Sequence, residues 1–233
     1  MVPNQVITRT IYLEGDRAGS GFIYDHKGHQ YIITARHVVD GMSHHDHLYI
    51  GYGDSVAQAD VRLVGYARDG SDVAVLTTNV VLNRIACPEA GSEGLVYSQQ
   101  VHFLGFPYGM RMMPVGDVTG NFPIPFVKSA VISAMGVKWK GNPVTFLDGI
   151  NNPGFSGGPV VFDNISRDHK RSKGPKLLGI VSGYHVEPEP IHVRGTETQT
   201  DMIYRANTGL VIVYPIERAL EIIESNPIGC AIA

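Results

Sequence analysis

Cysteine is scarce: the chain carries only Cys87 and Cys230 in 233 residues. Two thiols cannot build a disulfide framework, so folding must rest on an apolar core, and two free thiols suit a reducing compartment. Cys87 precedes Pro88 in a linker, and Cys230 lies in a frayed-looking tail. A charge excess of one sign is missing as well. Lys and Arg number 19 against 22 Asp and Glu, a net charge of −3, which argues against a nucleic-acid or membrane-surface role. No apolar run approaches the ~20 residues of a membrane-spanning helix. The start, Met1-Val2-Pro3-Asn4-Gln5, has no basic residues followed by an apolar stretch, so no signal peptide is expected and the location expected is cytoplasmic. Internal repeats and extended low-complexity segments are absent too.

What is present suits a compact β protein. Hydrophobic residues make up 43% of the chain, and 27 Gly with 14 Pro fit many short strands and turns. Apolar, β-branched runs predict strands over Val6–Leu13, Gly21–Asp25, Tyr31–Thr34, His47–Tyr52, Asp60–Tyr66 and Val73–Thr77. A second set is expected over Val101–Leu104, Val127–Val137, Thr145–Ile150, Gly158–Phe162, Leu177–Gly183 and Leu210–Tyr214. One helix is predicted, starting at Pro215 and repeating apolar residues at Ile216, Leu220 and Ile223, with Asn226-Pro227 ending it. Short strands at this spacing read as barrels or sandwiches.

The most informative stretch is Gly154-Phe155-Ser156-Gly157-Gly158-Pro159. Gly154 permits a sharp turn, so that its own N–H and that of Ser156 can converge on one spot, as an oxyanion requires. Gly157 and Gly158 keep bulk away from the serine, so a substrate backbone can approach. Five such fixed positions match by accident about once in a million starts. A nucleophilic serine needs a base, and the base needs an orienter. His37 follows the apolar run Tyr31–Thr34, and Asp72 stands directly before the run beginning at Val73. Alone, each reads as strand-end or turn chemistry. Together, in the order His, Asp, Ser, they match a chain order of the acyl-transfer triad.

Four segments carry a resemblance: Gly19-Ser20-Gly21-Phe22, Thr34-Ala35-Arg36-His37-Val38-Val39, Ser71-Asp72-Val73-Ala74-Val75-Leu76 and Gly154–Pro159. They resemble a trypsin-like serine peptidase, and more narrowly the bacterial HtrA/Deg-type branch. Gly105-Phe106-Pro107-Tyr108-Gly109, Val131–Met135 and Asp148–Pro153 support that branch. The resemblance implies an all-β fold of two six-stranded antiparallel β-barrels with a C-terminal α-helix. One unit, 1–95, would carry His37 and Asp72; the other, 96–233, would carry Ser156 and the helix. With the chain ending at Ala233, no PDZ domain is expected to follow.

The implied reaction is peptide-bond hydrolysis. Ser156 attacks the carbonyl, His37 takes its proton, Asp72 fixes the imidazole tautomer, and the N–H groups of Gly154 and Ser156 hold the oxyanion. The substrate is a polypeptide, no metal or other cofactor is called for, and the oligomeric state is left open. Ile180–Tyr184, with Ser182, Gly183 and Tyr184, reads as the edge that pairs with an extended substrate. Ile150 is expected at the base of the specificity pocket, with Tyr184 and Gly209 as walls, favouring an uncharged aliphatic residue. One departure stands out. Phe155 occupies the place where digestive relatives carry an aspartate that pairs with a freshly cut N-terminus, so no such cut is expected here. The alternative function is a catalytically silent or partner-activated peptide-binding module; an ester or other acyl hydrolase would use the same groups. His44-His45-Asp46-His47 reads as a solvated loop rather than a metal site, Arg167–Lys173 as a basic loop tip, and Val186–Ala206 as a long loop beside the site.

Overall fold

The computed structural model describes every residue except 1, 16, 116–119, 166–171, 193, 196–198 and 233. After a short helix α1 (Asn4–Ile7), the first apolar runs become β1 (Thr10–Glu14), β2 (Ala18–His26), β3 (His29–Thr34), β4 (His45–Tyr52), β5 (Ser55–Tyr66) and β6 (Ala74–Thr78). They hydrogen-bond in the order β3-β2-β1-β4-β5-β6, and β6 returns to β3, closing a six-stranded antiparallel barrel. A two-residue strand β7 (Glu89–Ala90) leads to β8 (Gln100–Gly105), β9 (Phe126–Trp139), β10 (Asn142–Asp148), β11 (Pro159–Ile165), β12 (Ser172–His192) and β13 (Gln199–Pro215). Their order is β11-β8-β9-β10-β13-β12, with β12 closing onto β11, so a second barrel forms. The chain then makes α2 (Glu217–Ser225) and β14 (Cys230–Ala231). Both barrels and the helix agree with the expected fold class.

Continuous burial along β2 and β3 has a simple cause: both faces are covered. Ile23 and Ile32 point into the first barrel with Ile11, Leu13, Leu48 and Leu76. Their neighbours Phe22, Tyr24, Tyr31 and Ile33 point the other way, into a core shared with Leu104, Val161, Ile180, Ile212 and Tyr214 of the second barrel. The second barrel encloses its own core of Phe103, Ile132, Leu147, Phe155, Phe162 and Val213. β2 and β3 therefore contribute one face to the first barrel and the other to the seam between barrels, whereas β4 and β9 turn their outer faces to solvent.

Several local expectations are corrected. Val6 and Ile7 lie in α1 rather than in a strand, and β1 begins at Thr10. Pro215 ends β13, and Ile216 caps α2. The helix buries Ala219, Ile222 and Ile223 and packs on β5 and β6 of the first barrel. The tail is paired, not frayed: Cys230 lies opposite Gln30 of β3. Cys87 packs half-buried against the shared core. Within the stretch expected as a loop, Val186–Ala206, residues 186–192 and 199–206 instead form a two-stranded ribbon, with Val186 opposite Asn207 and His192 opposite Gln199. Pro188 and Pro190 are tolerated because, among the described residues, their strand pairs there on one side only. His45 and His47 belong to β4, where His47 Nδ1 meets Asp60 Oδ1 at 2.7 Å. Of the basic stretch Arg167–Lys173, residues 167–171 lie outside the described residues.

Candidate active site

The β3–β6 ladder brings the first two candidates together. Thr34 pairs with Ala74, so the turn after β3 and the turn before β6 meet at one end of the barrel. His37 sits in a single 3-10 turn, Arg36–Val38, directly after β3. Its Nδ1 lies 2.7 Å from Asp72 Oδ2, and its backbone N–H donates to Asp72 Oδ1 at 2.9 Å. A carboxylate partner makes Nδ1 the protonated nitrogen and leaves Nε2 as the acceptor. Burial pushes the Asp72 carboxyl upward, but the hydrogen bond and charge of His37 and the hydroxyl of Ser182 outweigh it, and the net shift is downward. Burial pushes the phenol of Tyr214 up, the Asp72 charge adds to the rise, and a hydrogen bond to the Asp72 backbone works against it.

Ser156 arrives from the second barrel on a turn that is wedged between backbones. Gly154 has φ +105 and Gly157 φ +86, a region that favours glycine. A Cβ at Gly154 would run into the carbonyl of Phe106; one at Gly157 would strike the carbonyl of Ser20, and one at Gly158 the carbonyl of Leu104. The reason read from the sequence for Gly157 and Gly158 is thus replaced. They make room for the protein's own chain, from both barrels, rather than for a substrate.

The turn is held on three sides. Ser20 N–H donates to the Ser156 carbonyl at 2.7 Å, and Ser20 Oγ donates to the Gly154 carbonyl at 2.7 Å while accepting from Phe106 N–H at 3.1 Å. Tyr108 N–H donates to the Pro153 carbonyl at 2.8 Å. In a trans peptide N–H and C=O point oppositely, so this bond turns the Gly154 N–H away from the 106–109 segment. Among the described residues, the N–H groups of Gly154 and Ser156 donate to no protein acceptor. Tyr108 reaches its position with φ +53, a strained value for tyrosine.

Ser182 links the two halves. Ser156 Oγ donates to the Ser182 carbonyl at 3.0 Å, and Ser182 Oγ donates to Asp72 Oδ2 at 2.6 Å. Expected only as a groove residue, Ser182 also puts its hydroxyl on the carboxylate, beside the two bonds from His37. Beyond Val181, which bonds Gly157 and Gly158, β12 pairs with β13 alone among the described residues, leaving Ser182, Gly183 and Tyr184 an open edge beside Ser156. Gly183 has open space where a side chain would stand. Ile150 is exposed and neighbours Gly209: a Cβ there would lie 3.7 Å from Ile150 Cδ1. Tyr184 stands opposite Val211 in the ladder that carries Gly209.

Three contributors went unread in the sequence. Ser20 was visible only as part of a motif. Asn207 of β13 ties the segment before Ser156 to its own strand, donating to the Asn151 carbonyl at 2.8 Å and accepting from Gly209 N–H at 3.0 Å. Lys128 of β9 reaches the Ile150 carbonyl and, at 2.9 Å, Asn152 Oδ1. Each reaches at least one partner more than twenty residues away in sequence, so no local pattern marks it. Burial pushes the Cys87 thiol up and keeps it protonated. Among the described residues no group of three or more His, Cys, Asp or Glu could hold a metal ion, and no helix is long and apolar enough to cross a membrane.

Two solved structures of the HtrA-type protease AlgW with a tripeptide share this fold. One, a serine-to-alanine variant, aligns with a TM-score of 0.59 at 20% identity, over 96% of this chain and 63% of that one. The other gives 0.60 at 21% identity, over 95% of this chain and 60% of that one. The chain thus spans about three fifths of the length of these relatives. No curated protein matches it by sequence. The trypsin-like peptidase domain matches residues 19–165, more than half of the chain, and the chain belongs to that family.

Proposed function

We propose that the protein is a serine endopeptidase that works through an acyl-enzyme, in two units, 1–95 and 96–233, that meet at the site. The reading rests above all on Asp72, whose one carboxylate holds His37 directly and Ser156 through Ser182. The Ser156 hydroxyl rotates from the Ser182 carbonyl toward His37 Nε2, gives up its proton and attacks the peptide carbonyl. The N–H groups of Gly154 and Ser156 take the oxyanion. His37 then protonates the leaving amine, and water, activated by the same imidazole, releases the acyl group. The scheme calls on no metal or cofactor. The open edge at Ser182–Tyr184 takes the substrate backbone, and Ile150 with Gly209 favours an uncharged aliphatic side chain.

One observation favours a second reading. At rest the Ser156 proton goes to the Ser182 carbonyl, so the nucleophile and base are not yet engaged. A partner-activated or silent peptide-binding module on the same fold would share that state. The HtrA-like branch and a cytoplasmic location belong to this proposal as well. A fluorophosphonate probe decides between the readings: the wild type is labelled at Ser156 and cleaves casein, and Ser156→Ala and His37→Ala do neither while keeping the wild-type circular dichroism. Equal cleavage by wild type and Ser156→Ala would overturn the assignment.

A further inference from the structure

We propose that Lys128 is a positioning residue for the oxyanion turn, its ammonium gripping the segment 150–155 from beneath; the inference rests on the serine-peptidase reading of the site. Phe155 offers no anion at the position before the serine, so an ion pair cannot hold the turn from there. Phe155 is instead fully buried, its ring edge-on to Phe103 at 5.0 Å. Lys128 stands on β9 at the same parity as Ala130 and Ile132, both of which face the barrel core. A lysine on an inward face is costly unless its ammonium finds partners. This one finds three: the Ile150 carbonyl, Asn152 Oδ1 at 2.9 Å, and the Phe155 ring, whose centroid lies 5.8 Å away. Burial draws its pKa down, which marks the amine as partly stripped of water.

The three contacts fall on the start, middle and end of the turn. Asn152 extends the grip: its Nδ2 donates to Tyr108 Oη at 3.3 Å, and its carbonyl accepts from Phe155 N–H at 3.4 Å. Ser20 and Tyr108 fix the carbonyls of Gly154 and Pro153 from the other side. The Pro153–Gly154 peptide is therefore clamped between Lys128 below and the 106–109 segment above. Without the ammonium, the Ile150–Asn152 half is released and that peptide can rotate, taking the Gly154 N–H off the oxyanion position. The loss falls on the transition state rather than on ground-state binding, because the oxyanion forms only during reaction.

The test compares the full-length wild type with Lys128→Met, which keeps length without charge, and Lys128→Arg, which keeps charge. Fluorophosphonate labelling rate and kcat are expected to fall about ten- to hundredfold in Lys128→Met, with KM within about twofold, and to recover in Lys128→Arg. If Lys128→Met does not fold, Lys128→Gln, which can still donate one hydrogen bond, carries the same comparison. Labelling of Lys128→Met at the wild-type rate overturns the inference, as does a loss expressed wholly in KM or shared by Lys128→Arg. Absence of labelling in the wild type would instead strike the serine-peptidase reading itself.

Discussion

Asp72 receives three hydrogen bonds, from His37 N–H, His37 Nδ1 and Ser182 Oγ. Its carboxyl titrates lower in the folded chain than in the unfolded one. The sign follows. A depressed carboxyl contributes stability that is complete above the unfolded value, near 4, and is lost as pH falls through the folded value. Melting temperature should therefore drop between about pH 5 and pH 2, and the drop should be smaller in Asp72→Asn, which has no carboxyl to protonate. A variant with the wild-type slope would show that Asp72 does not carry the effect. Ser20 makes the second residue-scale argument. It is fully buried and satisfies both the Gly154 carbonyl and the Phe106 N–H. Ser20→Ala strands two backbone groups, at a cost of roughly 1–3 kcal/mol each at most. Denaturant titration should show the lost stability, and labelling of Ser156 should slow with it; unchanged values for both would mean that water replaces the hydroxyl.

At the scale of elements, the strands were legible because burial imposes its pattern on sequence directly. Every barrel strand except β1 had its apolar run named close to its place, and the helix was found from its apolar repeat. What escaped was set by contacts made far along the chain. Val6 reads as strand by its side chain, yet Thr8 and Thr10 turn their hydroxyls onto the carbonyls of Asn4 and Val6 and close a helical turn. Val186–Ala206 reads as a loop because its prolines and charges match no core-facing period, and it is pairing with each other alone that makes residues 186–192 and 199–206 a ribbon. The site shows the same division: His37, Asp72 and Ser156 announce themselves by motif, whereas Ser20, Lys128 and Asn207 do not. The tail is the clearest case. Nothing in Pro227–Ala231 signals a strand, but Cys230 N–H donates to Thr77 Oγ1 at 3.0 Å, Arg62 Nη2 to the Ile228 carbonyl at 3.0 Å, and Gly229 lies against the ring of Tyr31. Deleting residues 227–233 should uncover Tyr31 and the β3 edge, lowering the melting temperature by roughly 5 °C. An unchanged melting temperature would show that the tail adds nothing to the barrel.

For the whole molecule, the question is whether two closed barrels behave as two folding units. Each has its own interior, which argues for independence. The seam argues against it more strongly. Phe22, Ile33 and Val75 from the first barrel, Leu104, Val161, Ile180 and Tyr214 from the second, and Ile216, Ile222 and Ile223 around α2 share one buried core. Unfolding either barrel alone would expose the partner's half of that core, at about 1.5–3 kcal/mol for each large apolar side chain. The chain path adds to this coupling, since α2 and β14 leave the second barrel and fasten onto the first. So does the site itself, since Gly157 is pressed against Ser20 and Ala35, and Ser20 holds the Ser156 carbonyl. Half-folded states should therefore stay unpopulated and unfolding should be two-state. Trp139, the single tryptophan, reports on the second barrel through its contacts with Phe146 and His185. Hydrogen exchange of the β3 and β6 amides reports on the first. In a urea titration both signals should share one midpoint, and Ser156 labelling should vanish at the same concentration. If Trp139 changes at a lower urea concentration than the β3 and β6 amides, the barrels are separate units, and the seam is a docking surface rather than a core.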